Sequence, residues 1–231
     1  MDKSKQLHNL IEHEFVRDEV CVISIKGTVS VESQANLNRD LCKLLSDMYE
    51  GPVKFVVFQG NLSRDYPDDF VAGTPAPGNF FANQMQADMM QDLISRAPYF
   101  SLYRVAGFIE DLCADIAVSC DWRLMSDASQ ICFAAQRSLN EVKIASRLAE
   151  LVGNFRAFDM ILRRRIISAR EALEISLALP EAQFEDDIAG LEMQALTVRK
   201  ESIAIMRRAV RGPLPNDISV ERIVSSVAAA S

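Results

Sequence analysis

Carboxylates are the side chains of this sequence best suited to acid–base chemistry. Asp111 and Asp115 lie four residues apart in a segment with helical character, so both fall on one face of the helix. Two carboxylates held close together can share one proton, which lets one act as acid and the other as base. Glu141 begins the next helical stretch and is a third candidate. A simpler interpretation stays open, because acids in a first turn also stabilise the helix dipole.

Histidine and cysteine offer little material for nucleophilic catalysis or metal binding. The two histidines, His8 and His13, both lie in the polar N-terminal segment, which argues against a Ser-His or Cys-His nucleophile and against a His-rich zinc site. The cysteines are odd in number, scattered and embedded in apolar stretches, and no C-x-x-C pair occurs. They are Cys21, Cys42, Cys113, Cys120 and Cys132. We therefore expect reduced core thiols and no bound metal.

Composition and charge exclude several classes of protein. The 231 residues are 49% apolar and 25% charged, which is typical of a globular protein with one sizeable core. The net charge of −7 has the wrong sign for a protein whose main ligand is nucleic acid. Neither a signal-peptide-like apolar stretch nor a run of eighteen apolar residues occurs. We expect a cytoplasmic protein without a nucleic-acid or membrane partner.

Strands and helices alternate along the first part of the chain. Apolar runs predict strands at Val20–Ile25, Val53–Phe58 and Phe100–Val105. Val53–Phe58 leaves no room for polar alternation, which is expected of a sheet covered on both faces. Helical spacing of leucines predicts a helix from Glu32 to Glu50, and the segment from Arg64 to Phe80, with three prolines and two glycines, favours a loop.

The last third of the sequence has a helical pattern. Ser168 and Glu171 form a capping box, in which each side chain satisfies a backbone N–H of the other residue. A single long helix is predicted from Ala182 to Arg211, with basic side chains such as Lys200 and Arg207 on a solvated surface. We divide the chain into an α/β core at residues 1–180 and a helical C-terminal region at 181–231.

Five short motifs, taken in their order along the chain, resemble a known family. They are Phe70–Gly73, Val105–Phe108, Cys120–Arg123, Leu151–Gly153 and Ile167–Leu173. Together they are similar to the crotonase superfamily, also called the enoyl-CoA hydratase/isomerase family, over roughly residues 20–179. The resemblance implies an α/β fold, a crotonase-like spiral of β-β-α units with a helical C-terminal region, and assembly into trimers or hexamers.

The resemblance also implies a chemistry and a set of site residues. Family members bind acyl thioesters, usually of coenzyme A, and hold the enolate oxygen in an oxyanion hole made of two backbone N–H groups. By position these are the amides of Thr74 and Leu112, and Ala72 and Gly73 precede the first of them as substrate-binding residues. Coenzyme A then enters as part of the substrate, and no separate cofactor is expected.

Two further positions follow from the family pattern. Asp115 matches the first catalytic glutamate, one methylene shorter. The second catalytic glutamate of the family corresponds to Arg137 when positions are counted forward from Phe133. It corresponds to Glu141 when the short sequence that begins at Glu141 is matched, and both alignments stay open. Asp111 and Arg137 are also expected to contact substrate. Asp115 and Glu141 would act as the acid–base pair.

The sequence departs from the family where the second N–H donor lies. The family commonly has three consecutive glycines there, whereas this chain has Asp111, Leu112 and Cys113. Glycine allows close backbone approach and positive φ, and nearby acids repel an enolate. Two functions are therefore considered. One is an acyl-thioester hydratase, isomerase, decarboxylase or other lyase, acting on coenzyme A or carrier-protein thioesters. The other is a catalytically degenerate member that serves as a binding or assembly subunit.

Overall fold

The computed structural model describes residues 10–29, 31–64, 77–133, 141–181 and 185–211. Within these ranges the strands are β1 (Ile11–Arg17), β2 (Val20–Ile25), β3 (Thr28–Val29), β4 (Phe55–Gly60), β5 (Ser63–Arg64), β6 (Phe100–Val105), β7 (Phe108–Ile109), β8 (Trp122–Met125), β9 (Gln130–Cys132), β10 (Ile166–Ser168) and β11 (Leu179–Pro180). The helices are α1 (Val31–Glu50), α2 (Pro77–Arg96), α3 (Asp111–Ser119), α4 (Glu141–Val152), α5 (Asn154–Leu162), α6 (Ala169–Glu174), α7 (Glu185–Thr197) and α8 (Lys200–Arg211).

Most of the chain is a spiral of repeated β-β-α units. β2, β3 and α1 make the first unit, and the three following units repeat this order up to α4. The first strand of each unit joins a six-stranded sheet of order β1-β2-β4-β6-β8-β11, in which every neighbouring pair is parallel except β1 and β2. Two smaller sheets, β10-β9-β7 and β3-β5, gather the second strands. The predicted fold class is confirmed.

Glycine makes the corner between the two strands of a unit. Gly60 at the end of β4 and Gly107 between β6 and β7 have φ values of +100° and +83°, which favour glycine over other residues. At Gly60 space is also restricted, because an added Cβ would lie 2.0 Å from the carbonyl oxygen of Ile25. This corner turns the chain from the large sheet into the small one.

Both faces of the six-stranded sheet are covered. Ile23, Phe58 and Tyr103 are buried on the face that packs with α1, α2 and α3. A second apolar cluster on the other face is completed by α7. Its buried members are Val20, Phe55, Val57, Leu102, Leu124 and Ala195. The prediction of a sheet buried on two sides is confirmed, and α7 supplies part of the second cover.

The structure differs from the predicted elements at both ends. β1 was not predicted, because its residues are mostly exposed; it pairs with β2 along one edge of the sheet. The predicted helix from Ala182 to Arg211 is two helices, α7 and α8, separated at Val198. There the N–H of Val198 bonds the Ala195 oxygen three residues back, which ends the α-helical pattern. No helix within the described ranges has the length and apolarity needed to cross a membrane.

Lys200 and Arg207 are not on a solvated surface, so that expectation was wrong. The Lys200 ammonium donates to the carbonyl oxygens of Met48, Tyr49 and Gly51 at the end of α1. Arg207 is 3% exposed and donates to the oxygens of Ile94, Ala97 and Tyr99 at the end of α2. Carbonyls at a helix C-terminus attract cations. Lys200 therefore links α8 to α1, and Arg207 links α8 to α2.

The capping box is confirmed in its serine half. Ser168 Oγ accepts the N–H of Glu171 at 3.2 Å, which starts α6. The Glu171 carboxylate accepts a hydrogen bond from the Arg165 guanidinium at 2.6 Å. Glu171, the acid of the capping box, therefore forms an ion pair with Arg165, the residue before β10.

Candidate active site

The start of α3 presents backbone N–H groups where the sequence predicts an anion-binding donor. Glu110 is extended, with φ −147° and ψ 176°, and its side chain makes no cap hydrogen bond to the helix. The first intrahelical bond runs from the Ala114 N–H to the Glu110 oxygen at 3.5 Å. The N–H groups of Asp111, Leu112 and Cys113 precede this bond and so have no carbonyl four residues back within the helix. The predicted donor, Leu112, is one of these three.

Asp111 holds a backbone conformation that normally belongs to glycine. Its φ is +49°, and its side chain is buried, at 7% exposure. Left-handed conformations cost most L-residues roughly 1–2 kcal/mol, with aspartate and asparagine among the better tolerated. The chain thus enters the helix with a glycine-like backbone conformation, but places a carboxylate there.

Asp115 lies one helical turn beyond Asp111 and is also buried, at 8% exposure. All nine residues of α3 are buried. A carboxylate in its ionised form can accept a proton from a bound molecule. The same charge opposes any other anion at that helix start. One short helix therefore holds both the first-turn N–H groups and a buried carboxylate.

Cys113 is a protonated thiol and does not add a nucleophile to the site. Burial raises the pKa of the Cys113 thiol to about 11, and the neighbouring charges of Asp115 and Asp111 act in the same direction. A hydrogen bond with the Tyr103 side chain opposes these effects only in part. All five cysteines are free and buried, which confirms the expectation of reduced core thiols.

Arg123 anchors the other end of α3 and was not among the predicted site residues. It is 6% exposed, and its guanidinium donates to the oxygens of Ala117 at 3.2 Å and Cys120 at 2.9 Å. A third bond reaches the Leu177 oxygen at 2.6 Å, just before β11. The cation complements the carbonyl end of the helix dipole. Its only sequence signal was its place after the Cys120–Asp121 pair, which predicts no particular contact.

The other predicted residues lie partly outside the described ranges. Ala72, Gly73, Thr74 and Arg137 belong to segments that the structure does not describe. Glu141 is the first residue of α4, which packs against α3, but only its backbone is described. The described residues thus bring together Asp111, Leu112 and Asp115 and leave the remaining assignments as predictions. Within the same ranges no three His, Cys, Asp or Glu side chains form a metal-binding group.

Comparison with known proteins gives one informative sequence match. No protein-family model matches the chain. Ethylmalonyl-CoA decarboxylase of Rattus norvegicus is 29% identical over 142 residues, which cover 60% of this chain. The match spans 46% of the relative, so the chain corresponds to less than half of that protein.

Solved structures with the same fold cover nearly the whole chain. Enoyl-CoA hydratase from Bacillus halodurans superimposes with a TM-score of 0.73 at 11% identity, over 96% of this chain and 92% of that one. A putative enoyl-CoA hydratase from Thermobifida fusca in complex with acetoacetyl-CoA has a TM-score of 0.65 at 22% identity, over 99% and 97%. The β-β-α spiral shows that this chain has the fold of the enoyl-CoA hydratases, and its sequence is similar to part of ethylmalonyl-CoA decarboxylase.

Proposed function

We propose that this chain binds an acyl thioester of coenzyme A and processes its acyl group through an enolate, as a hydratase, isomerase or lyase. The observation that carries the proposal is the start of α3. There the Leu112 amide precedes the first intrahelical hydrogen bond, and the buried carboxylate of Asp115 lies within the next turn. An N–H donor and a base on one rigid element are the two parts that enolate formation needs.

In this proposal each residue has one task. The amides of Thr74 and Leu112 donate to the thioester oxygen, and each donor contributes roughly 3 kcal/mol as that oxygen gains negative charge. Asp115 moves the proton at the α-carbon or at an attacking water. Glu141, or Arg137 in the other alignment, contacts the far side of the acyl group. Coenzyme A is part of the substrate, and no further cofactor takes part.

The named ligands of the similar proteins support a coenzyme A thioester. The curated relative is named for ethylmalonyl-CoA, and the Thermobifida fusca protein was solved with acetoacetyl-CoA. A second structure of that protein holds coenzyme A. We propose the same class of ligand for the present chain. We also propose that the chain is a cytoplasmic homo-oligomer of three or six copies.

One observation favours a second candidate function, a binding or assembly subunit without chemistry. Asp111 places a buried carboxylate at the helix start, where the family commonly has glycine. A fixed negative charge there weakens the binding of a developing enolate. A chain of this kind would bind a thioester, or a partner that carries one, without turning it over.

Exchange of the α-proton tests both functions, because each of the proposed reactions passes through a thioester enolate that is protonated or deprotonated at the α-carbon. Butyryl-CoA is incubated with the protein in D2O, and loss of the α-proton signal is followed by NMR. We expect exchange in the wild-type chain and at least 100-fold slower exchange in Asp115→Asn, since a positioned base contributes roughly that factor. Asp127→Asn, a change at an exposed aspartate, is the matched control and should exchange at the wild-type rate.

Calorimetry with the same thioester separates the two candidates. Binding followed by exchange supports the enzyme. Binding without exchange contradicts the enzyme and supports the binding subunit. An absence of binding at 1 mM thioester, which corresponds to less than about 4 kcal/mol of affinity, contradicts the enzyme acting on coenzyme A thioesters and supports a subunit that binds a partner instead.

A further inference from the structure

Asp121 ties the C-terminal end of α3 to the large sheet. α3 ends at Ser119, so only Cys120 separates the helix from Asp121. The N–H of Asp121 donates to the Ser101 oxygen at 2.9 Å, and its carboxylate accepts the Ser101 N–H at 2.8 Å. The Ser101 hydroxyl donates to the same carboxylate at 3.0 Å. Because Ser101 belongs to β6, these bonds fix the end of the helix against an inner strand of the sheet.

The C-terminal end of α2 lies at the same place. The Ser95 hydroxyl, in the last turn of α2, donates to the oxygen of Ser119 at the end of α3, at 3.3 Å. The ends of α2 and α3 therefore meet beside β6. The residues that join them are Ser95, Ser101, Ser119 and Asp121, and we call them the α2–α3 junction.

Arg207 reaches the α2–α3 junction from α8. Its side chain is 3% exposed, and its Nη2 atom donates to Asp121 Oδ1 at 3.0 Å. The same guanidinium donates to the Ile94 oxygen at 2.6 Å and to the Ala97 oxygen at 2.9 Å, at the end of α2. Several donors in one rigid plane hold several acceptors in a fixed arrangement. Arg207 therefore joins the end of α2 to the carboxylate that follows α3.

Asp121 depends on this cation more than an exposed carboxylate would. The Asp121 side chain is only 15% exposed, so water screens its charge poorly. The carbonyl end of a helix dipole is negative and disfavours a carboxylate. Without the guanidinium, Asp121 would be a poorly solvated anion at the negative end of α3, and we expect it to move toward water. Such a move would distort its bonds to Ser101 and shift the end of α3.

A shift at the C-terminal end of α3 is transmitted to its start, because the helix is short. Its nine residues span about 12 Å at roughly 1.5 Å per residue. Under the proposed function, on which this inference rests, the Leu112 amide at the start of α3 donates to the thioester oxygen. Groups in such a site must hold their positions within about 0.5 Å, and a misplacement of about 1 Å reduces the rate about 100-fold.

We propose that Arg207 is a positioning residue for the reaction. It acts through Asp121 and α3, and it keeps the Leu112 amide directed at the thioester oxygen. The proposal gives α8, a helix of the C-terminal region, a part in the chemistry of a site that the α/β core carries.

Lys200 on the same helix provides a matched control. It donates to the oxygens of Met48 and Tyr49, so it also ties α8 to the C-terminal end of another helix. Among the described residues, its hydrogen-bond acceptors all lie at the end of α1. Lys200→Met therefore weakens the attachment of α8 without removing a contact to the α2–α3 junction.

The stretching frequency of the thioester carbonyl reports on the hydrogen bond from the Leu112 amide. Butyryl-CoA that is isotope-labelled at its carbonyl carbon is bound to the protein, and infrared difference spectra are recorded. In the wild-type chain we expect the carbonyl band at a lower frequency than in free butyryl-CoA, since N–H donors weaken the C=O bond. Arg207→Met and Asp121→Asn should each lose about half of this shift, because one of the two donors is misplaced. Lys200→Met should keep the wild-type shift.

The rate of α-proton exchange separates positioning from stability. At saturating butyryl-CoA in D2O, exchange should be about 100-fold slower in Arg207→Met and Asp121→Asn than in the wild type. The dissociation constant from calorimetry should change by less than about 10-fold, because contacts to the rest of the thioester are kept. A loss of stability alone would lower the folded fraction, but it would leave the carbonyl frequency and the rate of each folded, bound molecule unchanged.

The outcomes distinguish this inference from the function on which it rests. A carbonyl shift and an exchange rate that stay at wild-type values in the folded Arg207→Met and Asp121→Asn variants overturn the role of Arg207 and leave the proposed function standing. An equal loss in Lys200→Met overturns that role as well. A wild-type chain that does not bind butyryl-CoA, or binds it without shift or exchange, contradicts the proposed function and this inference with it.

Circular dichroism shows which variants are folded. Asp121→Asn keeps an oxygen that can accept the Ser101 N–H, so we expect this variant to fold even if Arg207→Met does not. Unfolding of Asp121→Asn would show that the pair serves folding alone, and it would contradict the proposal.

Discussion

At the residue scale, Asp111 combines a charge with an unusual backbone conformation at the most consequential position of α3. Asp111 begins the helix with a φ of +49°, and its side chain is buried. The backbone there takes a glycine-like conformation, while the side chain adds negative charge where the proposed reaction develops more of it. The backbone conformation and the charge are therefore two separate contributions of this residue.

Replacing Asp111 with glycine or with alanine separates these two contributions. Both variants remove the carboxylate, but only glycine is at ease at positive φ. We expect Asp111→Gly to be more stable than Asp111→Ala by roughly 1–2 kcal/mol in urea unfolding. Equal stability of the two variants would show that the left-handed conformation carries no strain.

The buried thiols predict a loss of stability at alkaline pH. Burial raises the pKa of Cys113 from 9.0 to about 11, so the folded state holds a proton that the unfolded chain releases first. The stabilising effect is complete below pH 9 and is lost as pH rises through 11. For Cys113 this amounts to about 2 kcal/mol at pH 10.5. The free energy of urea unfolding at pH 8 and pH 10.5 measures it.

Cys113→Ala is the control for this pH dependence. The variant should lose less stability than the wild type between the two pH values, by about the same 2 kcal/mol. Cys21 and Cys42, whose pKa values burial raises to about 11 and about 12, keep a pH dependence in the variant. An identical pH dependence in both chains would mean that Cys113 titrates normally.

At the element scale, α8 is held in place by cations directed at the ends of other helices. Arg207 reaches the carbonyls that end α2 and pairs with the Asp121 carboxylate at 3.0 Å. Lys200 reaches those that end α1. Charges in such positions are satisfied by dipoles and hydrogen bonds, so they tie elements together that are distant in the sequence.

Removing one of these cations should destabilise the fold far more than removing its exposed neighbour. In Arg207→Met the Asp121 carboxylate and several carbonyls lose a buried partner, and we expect a loss of roughly 3–5 kcal/mol. Arg208→Met, at the next and exposed position, should change stability by less than about 0.5 kcal/mol. Urea unfolding of both variants makes the comparison, and similar losses would contradict the assigned role of Arg207.

The same elements show which parts of the fold can be read from sequence. Val20–Ile25 and Phe100–Val105 are predicted with their observed bounds, because buried parallel strands are continuous apolar runs. β1 is mostly exposed and carries no such signal. The burial of Arg207 depends on where α8 docks, which no local pattern encodes. Sequence periodicity reports burial along one element, whereas these contacts arise between elements.

At the scale of the whole molecule, the helical C-terminal region and the α/β core share one buried cluster. Ala195 of α7 completes the apolar face formed by Val20, Phe55 and Leu102. Trp122 lies beside this cluster, with its ring 6.2 Å from that of Phe55. The boundary at residue 180 therefore separates two patterns of secondary structure rather than two independent cores.

This shared cluster predicts that the chain unfolds as one cooperative unit. Trp122 is the single tryptophan, so its fluorescence reports on the face that α7 covers, and circular dichroism reports on all helices. The two urea transitions should coincide. A fluorescence change at lower urea than the loss of helix would show that the C-terminal region separates first and that residue 180 is a true domain boundary.

The candidate site was predictable only where a family motif crosses a described element. The segment between the motifs Val105–Phe108 and Cys120–Arg123 placed Leu112 at a helix start and Asp115 within the helix, and the structure has both there. Arg123 lies in β8 and in the motif Cys120–Arg123, but its three carbonyl contacts depend on where α3 and the turn at Leu177 pack, which no local pattern encodes. The choice between Arg137 and Glu141 stays open, since it depends on the path of the chain between Phe133 and α4.

The anchor of Arg123 has a consequence for how this protein can change. It joins the rear of α3 to a turn that comes 54 residues later, at Leu177. A short helix moves as a rigid rod, so a small displacement of that turn re-aims the amide at the opposite end. Under the proposed function, a substitution in that turn would change substrate preference while every residue at the helix start stays the same.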